Sequence, residues 1–308
     1  MKLKNEKIPD LAHPIDQMAE TILDKHPALE GLVTPFASLF KARAGLVEEL
    51  KQGPHRIPLP AGAHSAGSPA LAGIDLEPYR QPVERAAQFI LDALIPAFPA
   101  LSHPISRIAD AINLARIDVV LLAGIYLESG SQGLIPTAES AEVSPDSLDL
   151  AVRLALSAVL EALVSPADLE ADMSSQEKGL CPVCGFPPSI SFLDRAPESP
   201  SEFLVGGGGQ KYLHCSLCGH DWLTLRHRCP LCGTDDPENR LYYQTDGDTG
   251  ERVDVCRNCK TYLPCIDLRK TGLVHPLDLA AVGMVYLDIM AQGKGFTPVT
   301  WTPWNRPG

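Results

Sequence analysis

Apolar residues recur at spacings of three and four over most of the chain up to residue 163, a pattern typical of amphipathic helices. We expect helices over about 14–26, 32–50, 78–95, 104–125 and 145–163. The fourth is apolar on most sides, which favours a central buried position. Proline and glycine cluster at 53–73, and a second loop is predicted at 130–140. The pattern predicts an all-α N-terminal domain.

Beyond residue 180 the pattern changes to short alternating runs, which indicate strands. We expect a linker over 174–179, a glycine-containing loop over 196–210, a C-terminal helix over 276–291 and a tail that lies against the body or stays mobile. The predicted strands cover 190–193, 211–214, 221–228, 241–244, 252–255 and 262–268.

Four Cys-x-x-Cys turns, here called knuckles 1 to 4, lie among these strands. A tight turn places the sulfurs of residues i and i+3 on one side, so both can bind one ion. The residue after the second cysteine often needs a positive φ, which glycine adopts without steric cost. Backbone N–H groups in such a turn offset the thiolate charge. The candidate metal ligands are Cys181, Cys184, Cys215, Cys218, Cys229, Cys232, Cys256 and Cys259.

Sequential pairing of the knuckles, 1 with 2 and 3 with 4, is favoured over cross-braced and nested pairings. The inserts of 30 and 23 residues each hold a strand, a turn and a strand, which return the chain to its start. Two mononuclear S4 sites follow, and spacing alone places zinc ahead of iron without separating them. His214, His220 and His227 stand beside knuckles and could replace a sulfur, but eight thiols are already present.

The expected fold class is α+β. An all-α N-terminal domain (1–175) precedes two tandem rubredoxin-like or zinc-ribbon subdomains (176–224 and 225–270), and a C-terminal helix and tail (271–308) follow. No catalytic constellation of nucleophile, base and orienting group is visible, so we do not expect an enzyme.

Charge and composition narrow the function classes. The net charge is −12, with 14 basic and 24 acidic residues before Cys181 and 12 and 14 from there on. The chain shows no signal peptide and no apolar run of about 20 residues, so we expect neither export nor membrane insertion. Paired cysteines in such a chain indicate metal ligation rather than disulfides. Cys265, outside the pattern, is expected to be a buried residue on a strand.

The segments Tyr212-Leu213-His214-Cys215-Ser216-Leu217-Cys218 and Cys256-Arg-Asn-Cys259-Lys-Thr-Tyr-Leu263 resemble the formate dehydrogenase accessory protein FdhE family. The resemblance is tight over 181–292, where Asp278-Leu279-Ala280 and Leu287-Asp288 fit the C-terminal helix, and looser over 1–175. It implies a bacterial, cytoplasmic, rubredoxin-like protein linked to iron. Such proteins are required for active respiratory formate dehydrogenase and contact its molybdenum- or tungsten-dependent catalytic subunit before export.

In this resemblance the family's metal cysteines fall on the eight knuckle positions, and iron becomes the favoured metal over zinc. Two departures stand out. Lys260 occupies the position where glycine is expected after knuckle 4, so the second site is expected to close less tightly. Cys265 is additional to the motif.

The favoured function is a maturation factor, chaperone-like or a one-electron partner, that binds the catalytic subunit near the knuckles and contacts it also through the acidic helical domain. A homodimer stays open. One alternative is a zinc-ribbon protein with structural metals that binds protein or nucleic acid. A basic patch could serve the latter, but the negative charge disfavours nucleic acid. A dithiol–disulfide oxidoreductase is disfavoured because no thioredoxin-type βαβ unit is predicted. The patch comprises Lys211, Arg226, Arg228, Arg252, Arg257 and Lys260.

Overall fold

The structure is a computed structural model that describes residues 12–59, 68–164, 179–194, 209–247, 250–271 and 276–306. Most of the predicted linker and most of the glycine-containing loop lie outside these residues. The predicted α+β class, with a helical N-terminal domain, two ribbons and C-terminal helix, is confirmed. The domain boundaries stay a prediction.

Helices form the N-terminal domain, and one of them is buried over most of its length. That helix, α7, begins at Pro145 behind Ser144, whose hydroxyl accepts a hydrogen bond from the N–H of Ser147 (3.3 Å). The helices are α1 (Ala12–Lys25), α2 (Glu30–Lys51), α3 (Arg80–Ala97), α4 (Ser102–Asn113), α5 (Val119–Ser129), α6 (Ile135–Ala141) and α7 (Pro145–Leu163).

The predicted helix over 104–125 is wrong as a single element, because the chain breaks between α4 and α5. Ala115 adopts a left-handed φ of 54°. Asp118 then caps α5 by accepting hydrogen bonds from the N–H groups of Val120 (2.9 Å) and Leu121 (3.2 Å). The central buried position belongs to α7, which packs against α2, α3, α4 and α5.

The predicted loop over 130–140 is also wrong. A 3-10 helix (Gly130–Leu134) runs into α6, and the side chains of Leu134 and Ala138 are fully buried. The stretch Val119–Ala141 is long and apolar enough to cross a membrane by length and composition alone. In the fold it is divided among α5, the 3-10 helix and α6, which contribute side chains to the hydrophobic core.

In the part of the chain that the structure describes, seven strands form one sheet in the order β3-β2-β1-β6-β5-β4, with β7 beside β6. The first ribbon consists of β1, β2 and β3, and the second of β4, β5 and β6; neighbouring strands within each ribbon are antiparallel. The two ribbons join where β1 pairs with β6 in parallel. The predicted strand over 221–228 is shorter than expected and ends at Thr224. The strands are β1 (Pro188–Leu193), β2 (Lys211–Cys215), β3 (Asp221–Thr224), β4 (Arg240–Tyr243), β5 (Glu251–Cys256), β6 (Thr261–Asp267) and β7 (Thr297–Pro298).

The C-terminal helix is divided at Met284 into α9 (Leu277–Gly283) and α10 (Val285–Gly293), after a short α8 (Leu268–Thr271). The helix α9 packs on α1 and α2. At Gly283 an added Cβ would approach the Ile22 side chain to 2.7 Å, so glycine permits this close helix contact. The part of the chain after the ribbons therefore completes the helical domain.

The described tail, residues 294–306, lies against the body of the protein. Trp304 packs edge-on against Phe36 of α2 (ring centroids 5.5 Å apart). The guanidinium of Arg306 pairs with Asp146 and Asp149 of α7, at 2.9 Å each. The Thr300 hydroxyl donates to the carbonyl of Pro188 at the start of β1 (2.7 Å). The tail thus ties the ribbons to the helical domain.

Asp288 of α10 is a buried carboxyl group between the sheet and this tail. Its side chain is 1% exposed, and neither oxygen has a hydrogen-bond partner among the described residues. Burial raises the pKa of Asp288 to about 7, and this outweighs the lowering effect of the nearby Tyr262 and Asn305. The native state therefore holds this carboxyl protonated where an unfolded chain would ionise it.

We predict that Asp288→Asn flattens the pH dependence of stability. Since the folded pKa of Asp288 lies above the ordinary value of 3.8, stability falls as the pH rises from about 4 to about 7, by at most about 1.4 kcal/mol per pH unit. The amide carries no such penalty. The free energy of unfolding of the variant, measured by urea unfolding, should therefore rise relative to that of the wild type as the pH rises to 7.5.

The matched control is Asp24→Asn, at an exposed position of α1. Its stability should follow that of the wild type across the same range. Parallel pH profiles for Asp288→Asn and the wild type would contradict the prediction.

Candidate metal centres

The structure brings the eight knuckle cysteines into two groups, and the sequential pairing is confirmed. In each group the four sulfurs lie within 4.8 Å of one another. Cluster 1 is formed by knuckles 1 and 2, and cluster 2 by knuckles 3 and 4. Cluster 1 consists of Cys181, Cys184, Cys215 and Cys218; cluster 2 consists of Cys229, Cys232, Cys256 and Cys259.

Each of knuckles 1 and 3 is closed by the same backbone hydrogen bond. The N–H of Gly185 donates to the carbonyl of Cys181 (2.9 Å), and the N–H of Gly233 donates to that of Cys229 (3.0 Å). Both glycines have a left-handed φ, 81° and 74°. The turn therefore needs the conformation that the trailing glycine predicted.

The spacing of the sulfurs fits a tetrahedral ion. Four sulfurs bound at about 2.3 Å lie about 3.8 Å apart. In cluster 2 the sulfur pairs Cys229–Cys259 and Cys232–Cys256 are both 3.7 Å apart. In cluster 1 the corresponding diagonal pairs are 3.5 Å and 3.4 Å apart. Both thiol sets fit a single zinc or iron ion.

Backbone donors surround the sulfur of Cys215 in cluster 1. The N–H groups of Leu217 and Cys218 each lie 3.4 Å from it. Burial raises the pKa of the Cys215 thiol, but hydrogen bonds from the neighbouring cluster thiols and from Leu217 outweigh burial and lower it. These donors stabilise the thiolate that a metal requires.

In cluster 2 a side chain supplies the corresponding stabilisation. The amide of Asn258 donates to the sulfur of Cys232 (3.4 Å). Desolvation is the largest single influence and raises the pKa of Cys232, but hydrogen bonds from the Asn258 amide, the Thr234 N–H and the neighbouring thiols together outweigh it and lower the pKa to about 6. An exposed thiolate is therefore favoured at this position.

Lys260, the departure from the glycine pattern, adopts the same conformation as the glycines. Its φ is 58°, against 69° for Gly219 after knuckle 2. Its ammonium lies 5.9 Å from the centre of the Phe296 ring. Knuckle 4 thus closes in spite of the lysine, at the cost of left-handed strain.

None of the three histidines beside the knuckles belongs to either cluster. His214 instead donates from Nδ1 to Asp221 (2.6 Å), and its Nε2 lies 3.5 Å from Asp278 of α9. Burial lowers the pKa of His214, but the two carboxylates outweigh burial and raise it to about 10. His214 is thus a cation paired with two carboxylates, in the strand that leads into knuckle 2.

Sequence reasoning missed a chain of charges that continues from Asp278 into the helical domain. Arg43 of α2 pairs with Asp278 (3.0 Å) and with Glu161 of α7 (2.7 Å). A signal was present, since Arg43 stands on the apolar side of α2 at helical spacing from Phe40 and Val47. Arg43, Asp278 and His214 link α2 to the strand that leads into knuckle 2.

The predicted basic patch is wrong at two of its positions. Lys211 is 3% exposed and pairs with Asp254 (2.5 Å), and Arg252 pairs with the same carboxylate (2.9 Å). Both cations are neutralised on the sheet. Cys265 is 1% exposed on β6, so its predicted burial on a strand is confirmed.

A helical domain that carries paired tetracysteine ribbons in one sheet defines an α+β protein of the zinc-ribbon type. No family model matches the chain. A protein described as "Protein FdhE homolog" from Aquifex aeolicus is 29% identical over 193 residues, which cover 63% of this chain and 60% of the relative. A homolog of the same description from Haemophilus ducreyi is 31% identical over 160 residues, 50% of this chain and 47% of that protein.

A solved structure extends the comparison to nearly the whole chain. The crystal structure of the FdhE protein from Pseudomonas aeruginosa matches with a TM-score of 0.58 and 19% identity, over 94% of this chain and 93% of that one. The resemblance to FdhE proteins found in the sequence is confirmed, and the two chains share a fold over nearly their whole length. The chain matches 38% to 60% of the length of the Shewanella, Haemophilus and Aquifex relatives.

We predict that Lys260→Gly stabilises the protein by about 1 kcal/mol, because glycine removes the left-handed strain at this position. The distant contact between Lys260 and Phe296 contributes less to the free energy of unfolding than the backbone strain takes away. Urea unfolding of the metal-saturated protein would measure the difference.

The opposite exchange serves as the control. Gly219→Ala should destabilise by about the same amount, since an added Cβ meets nothing closer than 3.9 Å and only the φ of 69° opposes it. Destabilisation by Lys260→Gly would show that the lysine makes contacts worth more than the strain.

Proposed function

We propose that this protein is an accessory factor in the production of active respiratory formate dehydrogenase. It binds the catalytic subunit of that enzyme in the cytoplasm and does not turn over formate. Similarity to proteins described as FdhE homologs, in sequence and in fold, supports this function. The observation that carries it is the pair of tetracysteine clusters on a single sheet beside a helical domain.

Each cluster holds one metal ion in this proposal, with all eight knuckle cysteines as ligands. The sulfur distances of 3.4–3.7 Å support a mononuclear S4 site in each cluster. We favour iron, since an iron S4 centre exchanges one electron without changing its ligands and zinc does not. The protein's own contribution is the set of N–H donors, from the backbone at Cys215 and from Asn258 at Cys232, which stabilise thiolates at fixed positions.

The partner surface in this proposal includes the ribbon that carries cluster 2. Its apolar side chains Leu225, Leu231 and Tyr242 are 65%, 51% and 55% exposed. In this proposal they contact the partner, since apolar and aromatic side chains are the ones that a protein interface buries at its centre. The acidic helical domain supplies the second contact.

We predict that the full chain, purified without oxygen, contains about two metal ions, with iron the main one. Cys181→Ala and Cys259→Ala should each retain about one ion, because each variant breaks one cluster. Metal analysis and the visible spectrum of the iron–thiolate centre would measure both quantities. Cys265→Ala is the matched control, since Cys265 lies outside both clusters.

Two ions of zinc and no iron would contradict the iron assignment and favour structural metals. Loss of both ions from either cluster variant would show that the two ribbons form one folding unit.

We predict that the full chain restores formate dehydrogenase activity to a bacterial strain that lacks its own FdhE protein. Cys184→Ser and Cys232→Ser should lower the restored activity, because each removes a ligand, whereas Cys265→Ser should not. The tagged chain should also co-purify with the catalytic subunit of the enzyme. Absence of both complementation and co-purification, with the protein folded and metal-loaded, would contradict the proposed function.

A further inference from the structure

The two clusters differ in their access to solvent. In cluster 1 all four cysteines are buried, and the most exposed, Cys218, reaches only 7%. In cluster 2, Cys232 is exposed and Cys259 is half-buried, while Cys229 and Cys256 are buried. An incoming molecule can therefore reach one thiol of cluster 2 directly.

Knuckle 1 is enclosed by the loop that precedes α3. The N–H of Ala70 donates to the carbonyl of Pro182 (2.8 Å). The N–H of Leu71 donates to the carbonyl of Val183 (2.9 Å). These bonds run between the helical domain and the residues that separate the two cysteines of the knuckle. Movement of knuckle 1 would break them.

Knuckle 2 is enclosed by α7. The guanidinium of Arg153 donates to the carbonyl of Ser216 (3.0 Å), between the two cysteines of this knuckle. The neighbouring Leu217 is 1% exposed. Both halves of cluster 1 are thus held by the helical domain, and its ligands can separate only if that contact opens.

Within knuckles 3 and 4, in contrast, the described hydrogen bonds run to the ribbons and to the residue that leads into knuckle 1, while the tail donates from the Thr297 N–H to the carbonyl of Lys260 behind knuckle 4 (2.9 Å). The N–H of Arg257 donates to the carbonyl of Asn239 (2.9 Å), and Asn258 donates to Cys232. The N–H of Gly179 donates to the carbonyl of Pro230 in knuckle 3 (2.9 Å). Movement of Cys232 away from the other three cysteines of cluster 2 therefore leaves the contact between the ribbons and the helical domain intact.

We propose that the two sites have different roles: cluster 2 is the exchangeable metal site, and cluster 1 is a fixed staple between the domains. The inference rests on the proposed function only in that both clusters bind a metal ion. The exchangeable ligand is a thiophilic divalent ion such as Zn²⁺ or Fe²⁺. It enters and leaves as a competing thiol or chelator replaces Cys232, the ligand that solvent reaches. Exchange at cluster 1 needs local opening of the helical domain contact, which costs free energy.

The test uses the full chain loaded with Zn²⁺ and mixed with an excess of a chromophoric zinc chelator. Release should show two phases of equal amplitude, the faster at least roughly tenfold faster than the slower. Cys232→Ser should lose the fast phase and keep the slow one, while Cys184→Ser should do the reverse. Release of both ions at one rate, or loss of the slow phase in Cys232→Ser, would overturn the inference.

A second measurement needs no variant and covers the case in which a variant fails to fold. The metal-loaded chain is treated with a small alkylating agent, and the modified peptides are identified by mass spectrometry at successive times. Cys232 should be modified first, and the four cysteines of cluster 1 last. Modification of the cluster 1 cysteines before Cys232 would overturn this inference and leave the proposed function untouched. Failure to bind any metal would overturn the metal-binding part of the proposed function as well.

Discussion

The parallel pairing of β1 with β6 is the contact on which the arrangement of the two clusters depends. Only three residue pairs form it, from Ser191 opposite Cys265 to Leu193 opposite Asp267. Without it the ribbons would be two small independent sheets, each dependent on its own metal for stability. With it, both clusters belong to one sheet, and the salt bridge from Lys211 to Asp254 crosses the same junction. The metal sites therefore keep a fixed relation to each other.

The ribbons are joined to the helices by buried charge as well as by the shared hydrophobic core. Arg43 contacts Glu161 and Asp278, and Asp278 contacts His214 beside knuckle 2. Burying ions costs free energy that only well-placed partners recover, so each member of this chain depends on the others. The consequence is a rigid junction at cluster 1, whereas cluster 2 lies on a ribbon whose apolar side chains face solvent.

The sequence predicted the features of the structure that contacts between neighbouring residues determine, and it missed those that depend on contacts between distant segments. Spacing predicted the knuckles and their pairing, because a Cys-x-x-Cys turn is fixed within a few residues. The break between α4 and α5 at Ala115 was not predicted, since neither glycine nor proline marks it in the sequence. Residues 130–140 suggested a loop because they contain glycine and proline, but both residues have a place in the helices found there. Gly133 lies where a Cβ would come within 2.6 Å of Ile125, and Pro136 stands in the first turn of α6, where proline is tolerated. The β1–β6 pairing and the Arg43 contacts join distant segments, for which no local pattern exists.

The position of α9 against α1 and α2 makes the ribbons an insertion within the helical domain. Ile22 and Gly283 meet across this contact, although the whole metal-binding region lies between them in the chain. On the ribosome, synthesis proceeds from the N-terminus, and segments begin to fold as they emerge. The four knuckles emerge before residues 276–306 are available to close over α1, α2 and α7. The contact between Ile22 and Gly283 can therefore form only after both ribbons have been synthesised, so the helical domain is completed last.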